Sequence, residues 1–249
     1  MLTIPNLGHQ TLYYKTKKEK FMDRIYTGFE SLDKHLKICK GDLVVIGGNP
    51  AIGKTCLMCS MIERTMAKQK ILFFTMQTNK HKAIDRISVL SCDNSTLWIY
   101  ESIDNFEKLL YKIMEHKDNF GVDVIYIDNF EDFLIYSNCY EKELVLKLLD
   151  LAKKLKIAII VSDVTYWIDR RRSIYRHLRH KEFIKYADKI ITINRPDRTA
   201  TEKEIRDGLV EKYVAEIRID KDLDEYYSPW INLKFDNNSL TFNEIPKTP

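Results

Sequence analysis

The sequence predicts an α/β fold, a mostly parallel sheet flanked by helices with short strands added at one edge near the C-terminus. Two observations carry that expectation. Short apolar runs alternate with amphipathic stretches along most of the chain, and a glycine-bearing loop, Gly48-Asn49-Pro50-Ala51-Ile52-Gly53-Lys54-Thr55, separates one apolar run from one amphipathic stretch. Repeated βα alternation places strands side by side and in parallel, with helices crossing both faces.

Taken in order, Asp42-Leu-Val-Val-Ile-Gly47 is a β-branched apolar run of the kind buried on both faces of a sheet. After the loop, Leu57, Met58, Met61, Ile62 and Met66 recur at helical spacing, so Thr55 opens a helix. Ile71 to Met76 is a second strand. A helix from about Asn105 to Lys117 carries Phe106, Leu109, Leu110, Ile113 and Met114 on one stripe, and Val122 to Asp128 follows as a third strand. The next helix, around Glu141 to Lys156, aligns Leu144, Val145, Leu148, Leu149, Ala152 and Leu155 before the strand Ile157–Val161. A basic segment leads to the strand Lys189–Ile193, and the polar stretch from Arg195 to Lys212 is expected to be a mobile connection. Ala215–Asp220, Trp230–Phe235 and Leu240–Phe242 read as the edge strands.

Composition narrows the class. The 249 residues are 45% apolar and 31% charged, ordinary for a globular unit with a substantial core. A formal charge of +4 does not by itself demand nucleic acid. No window approaches eighteen uninterrupted apolar residues and no signal-peptide pattern opens the chain, so a cytoplasmic protein without membrane contact is expected. Five cysteines, an odd number, fit reduced thiols better than a disulfide framework. Cys56 and Cys59 have C-x-x-C spacing but lie inside the first helix, with no second pair to complete a zinc site.

The loop has the G-x-x-x-x-G-K-[ST] spacing of a phosphate cradle. Glycines let successive backbone N–H groups converge on one anion, Lys54 reaches the β- and γ-phosphates, and the Thr55 hydroxyl completes a Mg²⁺ shell. The helix opening at Thr55 directs its positive end at the same point. Asp128 ends an apolar strand at the carboxyl edge of the sheet, where a carboxylate holds Mg²⁺ through water. Farther on, the segment from Tyr166 to Lys181 mixes Arg170, Arg171, Arg172 and Arg176 with Trp167 and Tyr175, a combination that tracks a phosphate backbone and stacks unpaired bases.

Thr27-Gly28-Phe29-Glu-Ser-Leu32-Asp33, Gly41-Asp42-Leu43, the loop itself, Ile127-Asp128, Leu151 to Leu155, Val161-Ser162, Leu178-Arg179, Ala187-Asp188 and Ala215-Glu216-Ile217 together resemble the RecA-like motor domain of DnaB-type replicative DNA helicases. The resemblance runs from about residue 25 to 236. It implies a RecA-like phosphate-loop ATPase with ATP and Mg²⁺ as ligands, assembled as a hexameric ring around single-stranded DNA with nucleotide between subunits. On that pattern residues 1–26 are an arm or linker, 27–243 the ATPase domain and 244–249 a tail. The arm is too short for the collar domain that precedes the motor in the family, which weakens the expectation of a ring.

The departures bear on activity. The family's acidic general base aligns with Gln77, an amide that cannot accept a proton, and Asn129 follows Asp128 where some phosphate-loop enzymes place an acid. Glu131 and Asp132 lie close enough in sequence to substitute for the missing acid, but nothing in the spacing aims them at the γ-phosphate, and they read as solvated loop acids. The family's late-strand lysine and arginine, which reach a neighbour's site, align with Lys221-Asp222-Leu223, so the lysine stays and the arginine is lost. Arg218 lies at an odd offset and so on the opposite strand face from Lys221. Asp163 replaces a glutamine that senses the γ-phosphate, which a carboxylate would repel. The loop following Asp128 is short and lacks the glycines and arginines that help grip DNA. Two readings follow: an ATP-driven DNA helicase, or a hydrolysis-deficient ATP-binding module that docks on a helicase, primase or loader.

Overall fold

The computed structural model describes residues 23–76, 80–87, 96–101, 103, 105–165, 178–222 and 230–246. In chain order the elements are β1 (Arg24–Ile25), α1 (Glu30–Asp33), β2 (Ile38–Cys39), β3 (Leu43–Gly48), α2 (Lys54–Thr65), β4 (Ile71–Thr75), α3 (Lys80–Ile87), β5 (Leu97–Glu101), α4 (Phe106–Phe120) and β6 (Val124–Asp128). They continue with α5 (Phe130–Ser137), α6 (Glu141–Leu155), β7 (Ala158–Val164), α7 (Glu182–Tyr186), β8 (Lys189–Asn194), α8 (Glu202–Arg206), β9 (Val214–Asp222), β10 (Ile231–Asp236) and β11 (Thr241–Glu244).

Among the described residues one sheet has the order β11-β10-β9-β8-β3-β7-β6-β4-β5. The six strands from β8 to β5 are parallel, while β9, β10 and β11 add antiparallel at one edge. This is the parallel sheet with C-terminal edge strands that the sequence predicts. Strand β5 carries no strong sequence signal because its residues are only half buried, at the opposite edge.

Two apolar layers cover the sheet, and the two-residue period of the strands assigns residues to them. Val44, Ile46, Ile71, Phe73, Val124, Tyr126, Ala158, Ile160, Ile191 and Ile193 face the layer containing α2 and β11. Leu43, Val45, Leu72, Phe74, Ile125, Ile127, Ile159, Val161 and Ile190 face the layer containing α4, α5 and α6. Burial on both faces is why these strands read as continuous apolar runs rather than alternating ones.

Several expectations are corrected. The stretch from Arg195 to Lys212 is ordered: Pro196–Arg198 forms a 3₁₀ turn, and α8 begins with a capping box in which Thr201 and Glu204 satisfy each other's backbone N–H. Arg195 itself is buried, paired with Asp197 and stacked 4.2 Å over the Phe235 ring. The segment after Asp128 is helix α5 rather than a loop. Asn129 caps it, accepting from the Asp132 N–H at 2.9 Å, a helix-starting role for the amide that follows Asp128.

Arg218 is not on the opposite face of β9 from Lys221. The β8–β9 register slips between Ile190 and Ile191, so Lys221 opposes Ile190, Ile219 opposes Ile191, and Asp220 is the extra residue of a bulge. Arg218, opposite Thr192, and Lys221, opposite Ile190, therefore share a face. Asp220 is held by Thr192 Oγ1 at 2.6 Å and Arg218 Nε at 2.7 Å.

At the amino end of β3, burial pushes the Asp42 carboxyl up to about 6, against a hydrogen bond from the Cys39 N–H and the charge of Lys189, which lower it. A carboxyl raised above its ordinary value makes the folded state bind the proton more tightly, so stability falls as pH rises from about 4 to about 6 and is level above. Asp42→Asn keeps an acceptor for Cys39 and removes the charge. Its stability advantage over the parent is expected to grow by about 2–3 kcal/mol between pH 4 and pH 7. Urea midpoints at the two pH values measure this, and an advantage that does not change with pH would assign the cost elsewhere.

Candidate nucleotide site

The site forms where β3, β7 and β6 end side by side. In register, Ile46 lies beside Ser162 and Ile127 beside Val161, so β7 separates the strand that carries the loop from the strand that carries Asp128. Asp128 and Ser162 share the sheet face of Tyr126 and Ile160, the face covered by α2. Thr55, in the first turn of α2, is thereby brought to Asp128: its Oγ1 donates to Asp128 Oδ2 at 2.7 Å, and Ser162 Oγ donates to Asp128 Oδ1 at 2.5 Å. Seventy-three residues separate Thr55 and Asp128, and only the sheet order makes them neighbours.

The loop is shaped by close packing as well as by glycine's freedom. Gly53 sits at φ 110° at the start of α2, with the Phe242 ring of β11 about 3.2 Å from where a Cβ would stand. Gly48 ends β3, and a Cβ there would meet Ile193 and Ile52 at 2.9 Å. Asn49 is tied to the residue just past β7, its Oδ1 accepting from Thr165 Oγ1 at 3.0 Å. Beneath the loop, Phe242 N–H donates to Ser60 Oγ at 2.9 Å and Arg64 donates to the Phe242 carbonyl at 3.1 Å, so the last strand braces the helix on which the loop stands.

Lys54 folds back onto the loop, donating to the carbonyls of Gly48 at 2.8 Å and Asn49 at 3.0 Å. Burial lowers its ammonium from the ordinary value, and the charges of Asp128 and Asp163 pull the other way. A cavity of about 470 Å³ opens here, lined by Pro50, Ala51, Gly53, Lys54, Thr55 and Asp128 together with Arg86, Glu131 and Arg179. These groups fit a phosphate chain with Mg²⁺. They offer a hydroxyl and a carboxylate already oriented together, an ammonium within reach, and two guanidinium groups to balance anionic oxygens.

Arg86, on α3, carries no motif and gives no sequence signal as a cavity residue, whereas Glu131, on α5, is a weighed substitute acid that the fold does bring to the cavity wall. Glu131 is no solvated loop acid: it lies in the first turn of α5 and pairs with Arg179. Asp163 also departs from expectation. It points to the face opposite Ser162, is fully buried, and accepts from His180 Nδ1 at 2.6 Å and His180 N at 3.3 Å. It is engaged under the sheet and is not among the cavity-lining residues.

Lys221 Nζ donates to the carbonyls of Ala187 at 2.5 Å, Ile184 at 3.2 Å and Lys185 at 3.4 Å, closing the C-terminal end of α7 within its own chain. Gln77 and the basic residues Arg170, Arg171, Arg172 and Arg176 lie outside the described residues. Burial raises the Cys56 and Cys59 thiols, as expected of helix core residues. Among the described residues no cluster of three His, Cys, Asp or Glu side chains is placed to hold a metal, and no helix is long and apolar enough to cross a membrane.

The loop and its flanking elements have counterparts in known families. Residues 24–101 match the DnaB-like helicase C terminal domain. The matched segment runs from β1 through β5, including the phosphate loop, and is narrower than the resemblance read from motifs, which reaches residue 236. The DNA repair protein RadA of Aquifex aeolicus strain VF5 is 32% identical over 97 residues, 38% of this chain and 22% of that protein. A probable plasmid replicative DNA helicase of Chlamydia psittaci is 25% identical over 156 aligned residues, covering 50% of this chain and 34% of that protein. The chain thus aligns with about a third or less of the length of these curated relatives.

Solved structures extend the likeness to the whole fold. One, an ATPase domain, superposes with a TM-score of 0.74 at 16% identity, covering 89% of this chain and 91% of that one. A DnaB-like replicative helicase, described with its primase interactions, gives 0.72 at 16% identity, covering 89% of this chain and 62% of that one. The fold is that of the RecA-like ATPases. DnaB-like helicase ATPase domains are among its structural neighbours.

Proposed function

We propose that the chain is an ATP-binding motor module of the DnaB-like helicase type, acting on single-stranded DNA during replication in the cytoplasm. The observation that carries this reading is the Thr55–Asp128–Ser162 arrangement beside Lys54, a hydroxyl and carboxylate set together at the mouth of a phosphate loop. Gly48, Asn49, Pro50, Ala51, Ile52 and Gly53 cradle the phosphates, Lys54 moves from the loop carbonyls to the β- and γ-phosphates, and Thr55 with Asp128 holds Mg²⁺. Held by Thr55 and Asp128, Mg²⁺ would supply positive charge against the phosphate oxygens. Arg170, Arg171, Arg172 and Arg176 are the proposed DNA-gripping cations. Residues 27–243 act as one unit, and homo-oligomers or a primase-like replication partner are the assemblies that fit the relatives' descriptions.

A second reading is favoured by two specific features. Gln77 is an amide where a base is needed, and the Lys221 ammonium is occupied by its own chain's carbonyls. Losing a general base costs about 10²- to 10⁴-fold in rate. On this second reading the module binds ATP as a structural ligand and docks on another replication protein.

Steady-state ATP hydrolysis with Mg²⁺, with and without single-stranded DNA and with Lys54→Ala as the blank, separates the two. DNA-stimulated turnover above the blank supports the motor; ATP binding with turnover no higher than the blank supports the docking module. If Gln77 is the main defect, Gln77→Glu is expected to raise turnover by about 10²-fold. A flat result would place the defect in assembly or in the missing arginine.

A further inference from the structure

The cavity holds an ion pair that the phosphate-loop motif does not account for. Arg179 crosses to Glu131, and both side chains line the same space as Lys54, Thr55 and Asp128. The backbone around Arg179 is fixed on each side. Its own N–H donates to the Val164 carbonyl at 2.8 Å, Leu178 bridges antiparallel to Thr165, and His180 is held by the buried Asp163 at 2.6 Å with the Phe130 ring 4.9 Å away, edge-on. The Arg179 side chain thus projects from a fixed backbone into the cavity wall. Its partner is equally placed, because Glu131 follows Asp128 by three residues on a helix whose cap is Asn129.

The Arg179 and Glu131 side chains are 40% and 26% exposed, so solvent screens the pair and its net strength is small. A terminal phosphate offers more charge and a fork of oxygens that matches guanidinium geometry better than one carboxylate does. We propose that Arg179 is a γ-phosphate reader acting within its own chain, parked on Glu131 without nucleotide and transferred to the terminal phosphate when ATP is present. The inference rests on the reading of this cavity as a nucleotide site and goes beyond it. It makes ATP-versus-ADP discrimination a property of one subunit, with no guanidinium required from a neighbour. Asp163 then has a positioning part, holding His180 so that Arg179 is aimed into the cavity.

The test is equilibrium binding of Mg²⁺-ADP and of the Mg²⁺ complex of a non-hydrolysable ATP analogue with an imido β–γ bridge. Parent, Arg179→Ala, Arg179→Lys and Glu131→Gln proteins are compared, with thermal melts to verify folding. Arg179→Ala is expected to weaken the analogue by about 10- to 100-fold while leaving ADP within about two-fold. Arg179→Lys retains charge without the fork and falls between parent and alanine. Glu131→Gln weakens this ion pair and binds the analogue as tightly as the parent or more so. Equal losses for ADP and analogue in both Arg179 variants, or no loss for either, would overturn the proposal while leaving the nucleotide site standing. A parent protein that binds neither nucleotide would overturn both.

Discussion

Lys54→Ala is expected to abolish nucleotide binding, with affinity for ATP falling by at least about 100-fold. The ammonium already lies over the loop, 2.8 and 3.0 Å from the Gly48 and Asn49 carbonyls, so reaching a phosphate requires a side-chain rotation and no backbone change. Charge-assisted hydrogen bonds contribute about 1.5–3 kcal/mol each, and the lysine would supply at least one to each of two phosphates. In the parent, ATP at about one hundred times its dissociation constant stabilises the fold by about 2.7 kcal/mol, a melting shift of about 5–10 °C. In Lys54→Ala that shift should fall to about 2 °C or less at the same concentration. An unchanged ATP shift in the variant would show that nucleotide binds elsewhere and that the loop is only a turn.

The second large effect concerns stability at the opposite end of the sheet. Lys189 Nζ lies 2.7 Å from Asp222 Oδ1, with side chains 3% and 2% exposed, directly across the β8–β9 pair. Breaking a buried ion pair leaves an uncompensated charge and costs about 3–5 kcal/mol. Lys189→Met is expected to lower the unfolding free energy by that amount, read as a lower urea midpoint with an unchanged slope. Lys189→Met with Asp222→Leu removes both charges and should recover most of the loss. Nucleotide affinity should be untouched in the double variant, because Lys189 pairs with Val44 near the start of β3 and the loop follows its end. A Lys189→Met protein as stable as the parent would mean that other groups compensate the Asp222 carboxylate.

Much of the fold was legible because burial on both sheet faces writes strands as apolar runs and burial on one helix face writes a 3.6-residue stripe. Strands β3, β4, β6, β7 and β8 and helices α2, α4 and α6 follow those signals closely. Helix α5 was missed because it is eight residues long and exposes Ile135 and Tyr136, which blurs its stripe. Helix α8 was missed because it buries none of its residues and is specified by its capping box alone. The bulge at Asp220 lies beyond any period-based reading, since an extra residue in one strand is defined only against the partner strand.

The candidate site divides in the same way. The sequence by itself determined the Gly48–Thr55 loop with its strand and helix, the acid at the end of β6 and the parallel α/β class, because local spacing constrains backbone shape and strand burial. The tertiary structure alone decided which distant groups meet there. It turned Asp163 away under His180, brought Glu131, Arg179 and Arg86 to the cavity wall, set Lys221 on its own helix end and placed Phe242 beneath Gly53. The physical reason is that strand order and face parity, properties of the assembled sheet, fix where a side chain points. Sequence distance carries no record of either.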